Sequence, residues 1–141
     1  MFTKSCDYGI LATFYIANNS NEKKYVGLKE IADATSIPPH FLSKVLSILV
    51  KNKILSSTKG LNGGFKLKRN ATKINMLDII KAIDGTDIFD NCLLGLKECS
   101  DENPCLIHDH YKIIKEDFIN LLSKETLQVL IEHLKNRENK N

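Results

Sequence analysis

The feature that most constrains the fold is a glycine-rich turn between two short apolar runs near the middle of the chain. The runs cover residues 54–58 and 65–68, and the turn between them contains Asn62-Gly63-Gly64. Asparagine and glycine tolerate the positive φ angles that a tight hairpin turn requires. The sequence therefore predicts an antiparallel β-hairpin, and the lysines in the turn and in the second run make this hairpin basic.

Three helices are predicted before the hairpin. Apolar residues spaced three and four apart indicate a first helix over roughly 4–18 and a second over about 27–35. A third begins at Pro39 and runs to about residue 52, since the first helical position does not use the N–H that proline lacks. Three helices followed by a basic hairpin is the order of a winged helix-turn-helix. In that fold the third helix enters the major groove, and the hairpin, or wing, touches the DNA backbone or the minor groove.

Basic charge is concentrated in the first half of the chain. The net charge is +8 over residues 1–74 and −5 over residues 75–141, and no acidic residue lies between Asp33 and Asp78. Clustered basic charge attracts a polyanion, most simply nucleic acid, and a basic face without a partner is the alternative. The predicted DNA contacts are His40, Ser43, Lys44, Ser47, Lys51, Lys53, Lys59, Asn62, Lys66, Lys68 and Arg69.

The second half of the chain is predicted to be largely helical. A short helix over residues 76–84 precedes a segment, residues 86–104, that has no clear period, and a final short helix covers residues 127–134. Between the segment without a period and this final helix, apolar residues recur about every 3.5 residues, which is the period of paired helices. We call this row of apolar residues the seam. Because the preceding 85 residues already make a small winged helix, a second copy of the chain is the simplest partner for the seam, and packing on its own domain is the alternative. The seam comprises Ile107, Tyr111, Ile114, Phe118 and Leu121.

Three of the four cysteines lie close together in the segment without a period. Cys92, Cys99 and Cys105 are followed by His108. A long loop without regular structure is unusual in a compact domain unless a function or a ligand orders it, and thiolates that converge on a metal supply such order. Wide spacing of single cysteines favours an iron–sulfur cluster, because zinc ribbons use two tight CxxC pairs. By spacing alone, zinc and plain thiols remain open.

Several short segments precede the cysteines in a specific order and at a specific spacing. They are residues 3–10 (TKSCDYGI), Ile31-Ala32, residues 37–42 (IPPHFL) leading into Leu46, residues 55–57 (LSS), residues 59–65 (KGLNGGF) and residues 83–85 (IDG). With them the chain resembles, over nearly its whole length, the IscR/NsrR-type iron–sulfur regulators, which are bacterial winged-helix repressors and activators that act as homodimers. The resemblance implies that Cys92, Cys99 and Cys105 hold a two-iron or four-iron cluster.

The resemblance also implies two candidates for the fourth ligand. IscR-like members use a histidine soon after the third cysteine, and His108 stands in that place. NsrR-like members use an aspartate at the start of the first helix, reaching in from the other subunit, and Asp7 stands there. Cys6 is a further candidate, for which a buried helix thiol is the simpler interpretation. The first cysteine gap is one residue longer than in IscR, which leaves the type of cluster open. Ser43 and Lys44 replace a base-reading Glu and a Gln, so we expect an operator that differs from that of IscR.

We therefore predict a mainly α-helical protein with a small β-hairpin wing. Residues 1–85 are predicted to form a winged helix-turn-helix DNA-binding domain, residues 86–108 a cysteine-containing cluster-binding loop, and residues 109–141 a helical dimerisation region. The predicted function is that of a cytoplasmic transcriptional regulator, a repressor, that binds double-stranded DNA as a homodimer. Its operator binding is predicted to be gated by an iron–sulfur cluster that senses nitric oxide, redox state or iron supply.

Three other functions compete with this prediction. The first is a cluster-free or zinc-stabilised winged-helix regulator, and the second is an adaptor whose basic face meets an acidic protein. The third is an enzyme with a Cys105 thiolate beside His108. The sequence contains no glycine-rich phosphate loop and no paired-carboxylate site, so we predict no enzyme activity and no small-molecule substrate. No apolar run approaches the roughly 18 residues that a membrane span requires.

Overall fold

The N-terminal part of the protein is a three-helix unit. The structure, a computed structural model, describes residues 2–92, 94 and 101–140. Helix α1 spans Lys4–Asn19, α2 spans Leu28–Thr35 and α3 spans Pro39–Lys51, within one or two residues of the predicted bounds. Thr3 caps α1 by accepting a hydrogen bond from the backbone N–H of Cys6, and Pro39 opens α3 as expected.

The predicted wing follows α3 directly. Strand β1 (Leu55–Thr58) pairs antiparallel with β2 (Gly64–Leu67). The connection between α1 and α2 adds a third, single-residue rung, because Val26 and Phe65 exchange two backbone hydrogen bonds of 2.8 Å. The wing is therefore fixed by backbone contacts to the helical unit and not only by its own turn.

The remaining elements are helical. Residues Ala71–Lys73 form a 3-10 turn, followed by α4 (Met76–Asp84), α5 (Asp87–Asp90), α6 (His108–Lys124) and α7 (Leu127–Asn139). Helix α5 lies in the segment predicted to lack regular structure, since four residues are too few to show a helical period. Helix α6, with 17 residues, is the long C-terminal helix that the seam predicts. Among the described residues, no helix is long and apolar enough to cross a bilayer.

One continuous core joins the winged helix to the end of the chain. It is built from α1, α2, α3, β1 and the segment up to α4, and Leu127 and Ile131 of α7 are buried in the same cluster. Helix α1 crosses α3 and α4 closely at Gly9, where an added Cβ would lie 2.0 Å from Cδ1 of Ile83 and 3.3 Å from Cγ1 of Val45. The absence of a side chain at Gly9 thus sets how near these helices approach.

A second, smaller core holds the seam helix α6 against α4 and against Phe2, just before α1. Phe118 stacks on Phe2, with ring centroids 6.0 Å apart, and contacts Phe89, with centroids 6.5 Å apart. The seam is consequently divided: Phe118 packs on its own chain, whereas Ile114 and Leu121 remain 64% and 55% exposed.

Candidate DNA interface and cysteine site

Helix α3 has one buried face and one open face. Leu42, Val45, Leu46 and Leu49 are buried in the core, so the side chains that alternate with them point outward. The open face contains no acid, and the hydroxyl of Ser47 donates a hydrogen bond of 2.9 Å to the carbonyl oxygen of Ser43. The predicted base-reading residues His40, Ser43, Lys44 and Ser47 are all exposed on this face.

The predicted phosphate-contacting residues fall into two groups. The exposed group comprises Lys51, Lys53, Lys59, Asn62 and Lys68, which lie from the end of α3 around the wing. The second group makes contacts within the chain. The ammonium of Lys66 donates a hydrogen bond of 2.9 Å to the carbonyl oxygen of Glu22 and lies 4.9 Å from the ring centroid of Tyr25. The guanidinium of Arg69 is 3.8 Å from Asp78 Oδ2.

Phe41 is an exposed residue of α3 that is absent from the predicted DNA contacts. Its side chain is 47% exposed beside the open face, and its ring centroid lies 4.0 Å from that of His40. The helical period contained the signal, because the buried positions begin at Leu42 and continue at Val45, which leaves Phe41 outside the core stripe.

The cysteine segment is described in part. Cys92 is buried and Cys105 is half-buried, and both carry thiols and not disulfide sulfurs. Cys99 lies outside the described residues. Within residues 2–92, 94 and 101–140, no three His, Cys, Asp or Glu side chains lie close enough together to hold a metal ion. Thiol and imidazole side chains, as in Cys92, Cys105 and His108, are donor types that iron–sulfur clusters take.

His108, one candidate fourth ligand, is buried at the first residue of α6. Its Nε2 lies 2.8 Å from Oδ1 of Asp101, and the Lys112 ammonium donates to both oxygens of the same carboxylate at 3.1 and 3.0 Å. The hydrogen bond from His108, together with Lys112, holds the pKa of Asp101 below its ordinary value. Asp101 therefore fixes the orientation of the His108 ring.

Asp7, the other candidate, is exposed in the first turn of α1. The start of this helix is tied to the end of α4, because Thr3 donates both its backbone N–H, at 3.2 Å, and its hydroxyl to the carboxylate of Asp84. Neighbouring Cys6 is fully buried, and burial, together with the charges of Asp84 and Asp7, raises its pKa to about 12. A thiol that stays protonated at neutral pH supports the interpretation of Cys6 as a buried helix residue.

Comparison with known proteins places this architecture among DNA-binding regulators. A sequence model of the Rrf2 family, described as "Iron-dependent Transcriptional regulator", matches residues 2–133. The chain is 30% identical over 126 residues to the HTH-type transcriptional regulator IscR of Xenorhabdus nematophila, covering 89% of this chain and 76% of that protein. The matched relatives are transcriptional regulators and not enzymes, as predicted.

Solved structures confirm the fold. The global cysteine regulator CymR of B. subtilis superimposes with a TM-score of 0.80 at 20% identity, over 94% of this chain and 97% of that chain. The IscR of T. potens superimposes with a TM-score of 0.74 at 21% identity, over 95% of this chain and 88% of that chain. Both likenesses support the prediction of a mainly helical winged helix-turn-helix with a two-stranded wing.

Proposed function

The chain belongs to the Rrf2 family of DNA-binding transcriptional regulators, and from this premise we propose that it is a homodimeric repressor gated by an iron–sulfur cluster. The proposal that the protein binds DNA rests on one observation, the acid-free open face of α3 beside a basic wing. An element of this kind is electrostatically matched to a phosphate backbone. We place the protein in the cytoplasm, where cysteines stay reduced.

In this proposal the two elements of the winged helix have different tasks. Helix α3 lies in the major groove, and the wing lies along the backbone or the minor groove. Two copies meet half-sites roughly 34 Å apart, one helical turn of DNA. His40, Ser43, Lys44 and Ser47 face base edges, whereas Lys51, Lys53, Lys59, Asn62, Lys66, Lys68 and Arg69 set affinity through the backbone.

The second copy docks on the exposed apolar residues of α6. Ile113, Ile114 and Leu121 are 62%, 64% and 55% exposed on this helix. Ile114 and Leu121 are seven residues apart and so share one face of α6. An exposed apolar face marks an interaction site, and a helix seam of this kind is well suited to pair with an identical helix. This proposal assigns residues 109–141 to dimerisation, with residues 1–85 as the DNA-binding domain and 86–108 as the cluster loop.

Cys92, Cys99 and Cys105 would hold the cluster, with His108 or Asp7 as the fourth ligand. When bound, the cluster supplies a link that nitric oxide, oxidants or iron scarcity can break. The cysteine loop comes after α4 in the chain. Asp84 of α4 accepts a hydrogen bond from Thr3 at the start of α1, and α1 in turn packs against α3. These contacts provide a physical route from the loop to the reading helix, by which loss of the link shifts the population of DNA-binding arrangements.

The test is purification under anaerobic conditions, followed by absorption spectroscopy and iron and sulfide analysis. We expect a brown protein whose iron and sulfide are lost in Cys92→Ser, Cys99→Ser and Cys105→Ser but retained in the matched control Cys6→Ala. Footprinting should then show different operator affinities for cluster-loaded and cluster-free protein. Equal affinity at every operator would refute cluster gating and leave DNA binding intact.

A cluster-free or zinc-stabilised regulator is the second candidate. It is supported by the free thiols of Cys92 and Cys105, which can bind zinc or remain plain thiols. The same purification distinguishes the two, because a zinc protein or a metal-free protein is colourless. Colourless protein that binds its operator with full affinity would support the second candidate. Zinc analysis then separates its two forms, because the three cysteine variants lose zinc only if these thiols bind it.

A further inference from the structure

Helix α3 carries one large apolar side chain, Phe41, that is exposed beside its polar reading face. We propose that Phe41 contacts the C5 methyl group of a thymine in the major groove and so requires an A·T pair in each half-site. The proposal rests on the proposed DNA-binding function and adds to it a residue that reads one base by apolar contact.

The position of Phe41 places it where base contacts are made. It is the third residue of α3, and the N-terminal residues of a recognition helix are those that reach base edges. Residues Leu42 and Val45 are buried, whereas Phe41 keeps 47% of its side-chain surface open. Lys44, one turn further along the same helix, is exposed and has an ammonium that can bind the DNA next to this contact.

The chemistry of Phe41 narrows what it can recognise. A phenyl ring neither donates nor accepts an ordinary hydrogen bond, so it cannot read the polar groups of guanine, cytosine or adenine. Thymine alone presents a methyl group in the major groove, and apolar side chains contact it there. Polar residues on the same face, such as Ser43, would read the neighbouring positions.

The ring is already held in place before DNA arrives. The rings of His40 and Phe41 lie with centroids 4.0 Å apart and planes inclined by 39°. A side chain that packs on its neighbour loses less rotamer freedom on binding, so more of the contact appears as affinity. The contact with His40 therefore favours one orientation of the Phe41 ring at the start of the helix.

The experiment separates the methyl group from every other property of the base. Duplexes selected by wild-type protein from a random pool define the half-site, and each thymine in one half-site is then replaced singly by deoxyuridine, which lacks only the methyl group. Fluorescence anisotropy gives the affinity. We expect one position at which wild-type binding weakens roughly fourfold, the effect of losing the burial of one methyl-sized group. With Phe41→Ala, the same replacement should change nothing, which shows energetic coupling.

Two further variants act as controls. Leu11 on α1 is also 47% exposed, and Leu11→Ala should keep the full fourfold sensitivity to the methyl group. Phe41→Leu preserves an apolar side chain and should keep part of the sensitivity to the methyl group. This variant therefore tests the proposal even if Phe41→Ala does not fold.

Three results would overturn the proposal: a selected half-site without an A·T pair, wild-type binding that no deoxyuridine weakens, or weakening that is equal in wild-type protein and Phe41→Ala. Failure of the proposed DNA-binding function looks different. In that case no duplex is enriched from the pool, and the first step of the experiment already shows it.

Discussion

At the residue scale, Gly64 shows that the wing requires a glycine at one position where other turn-forming residues would not fit. Its φ is +141°, and an added Cβ would lie 2.2 Å from the carbonyl oxygen and 2.5 Å from the carbonyl carbon of Val26. These are backbone atoms in the rung between Val26 and Phe65, so they cannot move aside without breaking its two hydrogen bonds. The sequence predicted glycine here for the hairpin turn, and it could not predict the close approach of another segment.

The corresponding prediction concerns Gly64→Ala. We expect the free energy of unfolding to fall by about 1–3 kcal/mol from backbone strain, and further from the clash with Val26. Urea unfolding followed by far-ultraviolet circular dichroism measures this change. Gly27→Ala is the matched control, since φ of Gly27 is −72° and no atom lies within 4 Å of an added Cβ. Equal stability of the two variants would contradict this account of the wing.

At the scale of elements, the helices and strands of the DNA-binding unit were predictable, and their side-chain contacts were not. The period of apolar residues predicted α1 to α4 closely. Asn75 caps α4 by accepting a hydrogen bond of 2.8 Å from the backbone N–H of Asp78. Helix α5 was missed because of its length. The wing lysines appeared equivalent in sequence, but Lys66 is bonded to the carbonyl of Glu22 and Lys59 is exposed. A long-range contact of this kind leaves no local pattern.

This difference gives a prediction at the same scale. Lys59→Ala and Lys66→Ala should each weaken DNA binding and reduce the slope of log affinity against log salt by about one, because each removes one phosphate contact. Lys66→Ala should in addition lower the melting temperature, since it removes the hydrogen bond to Glu22. Salt titrations and calorimetry of both variants test this. If Lys59→Ala melts earlier than Lys66→Ala, the assignment of Lys66 as a wing anchor is wrong.

At the scale of the whole molecule, the amphipathic pattern of α6 predicted a helix with an apolar face but could not specify what covers that face. The structure divides it: Phe118 packs against Phe2 and Phe89 of the same chain, while Ile114 and Leu121 stay exposed. A period reports how apolar residues are spaced and carries no information on how many surfaces meet the helix. The spacing of Cys92, Cys99 and Cys105 likewise predicts a cysteine loop, but spacing carries no information on how the three thiols are arranged in space.

The exposed half of α6 leads to a test of assembly. Ile114→Asp places a charge in the proposed contact with a second copy, where it would lose hydration without a partner. Light scattering should show a mass of twice 15.9 kDa for the wild type and 15.9 kDa for the variant. Leu61→Asp, which changes a fully exposed leucine at the wing tip, should stay dimeric. A monomeric wild type, or a variant that remains a dimer, would contradict the proposed interface.

The close crossing at Gly9 has a mechanical consequence for this molecule. Where two helices are separated by long side chains, a small displacement of one can be absorbed by rotamer changes and never reaches the other. At Gly9, α1 contributes no side chain, so the tip of Ile83 on α4 rests against bare main chain. A displacement of α4 at this point is therefore passed on to α1, because α1 has no side chain there whose rotamer could absorb it.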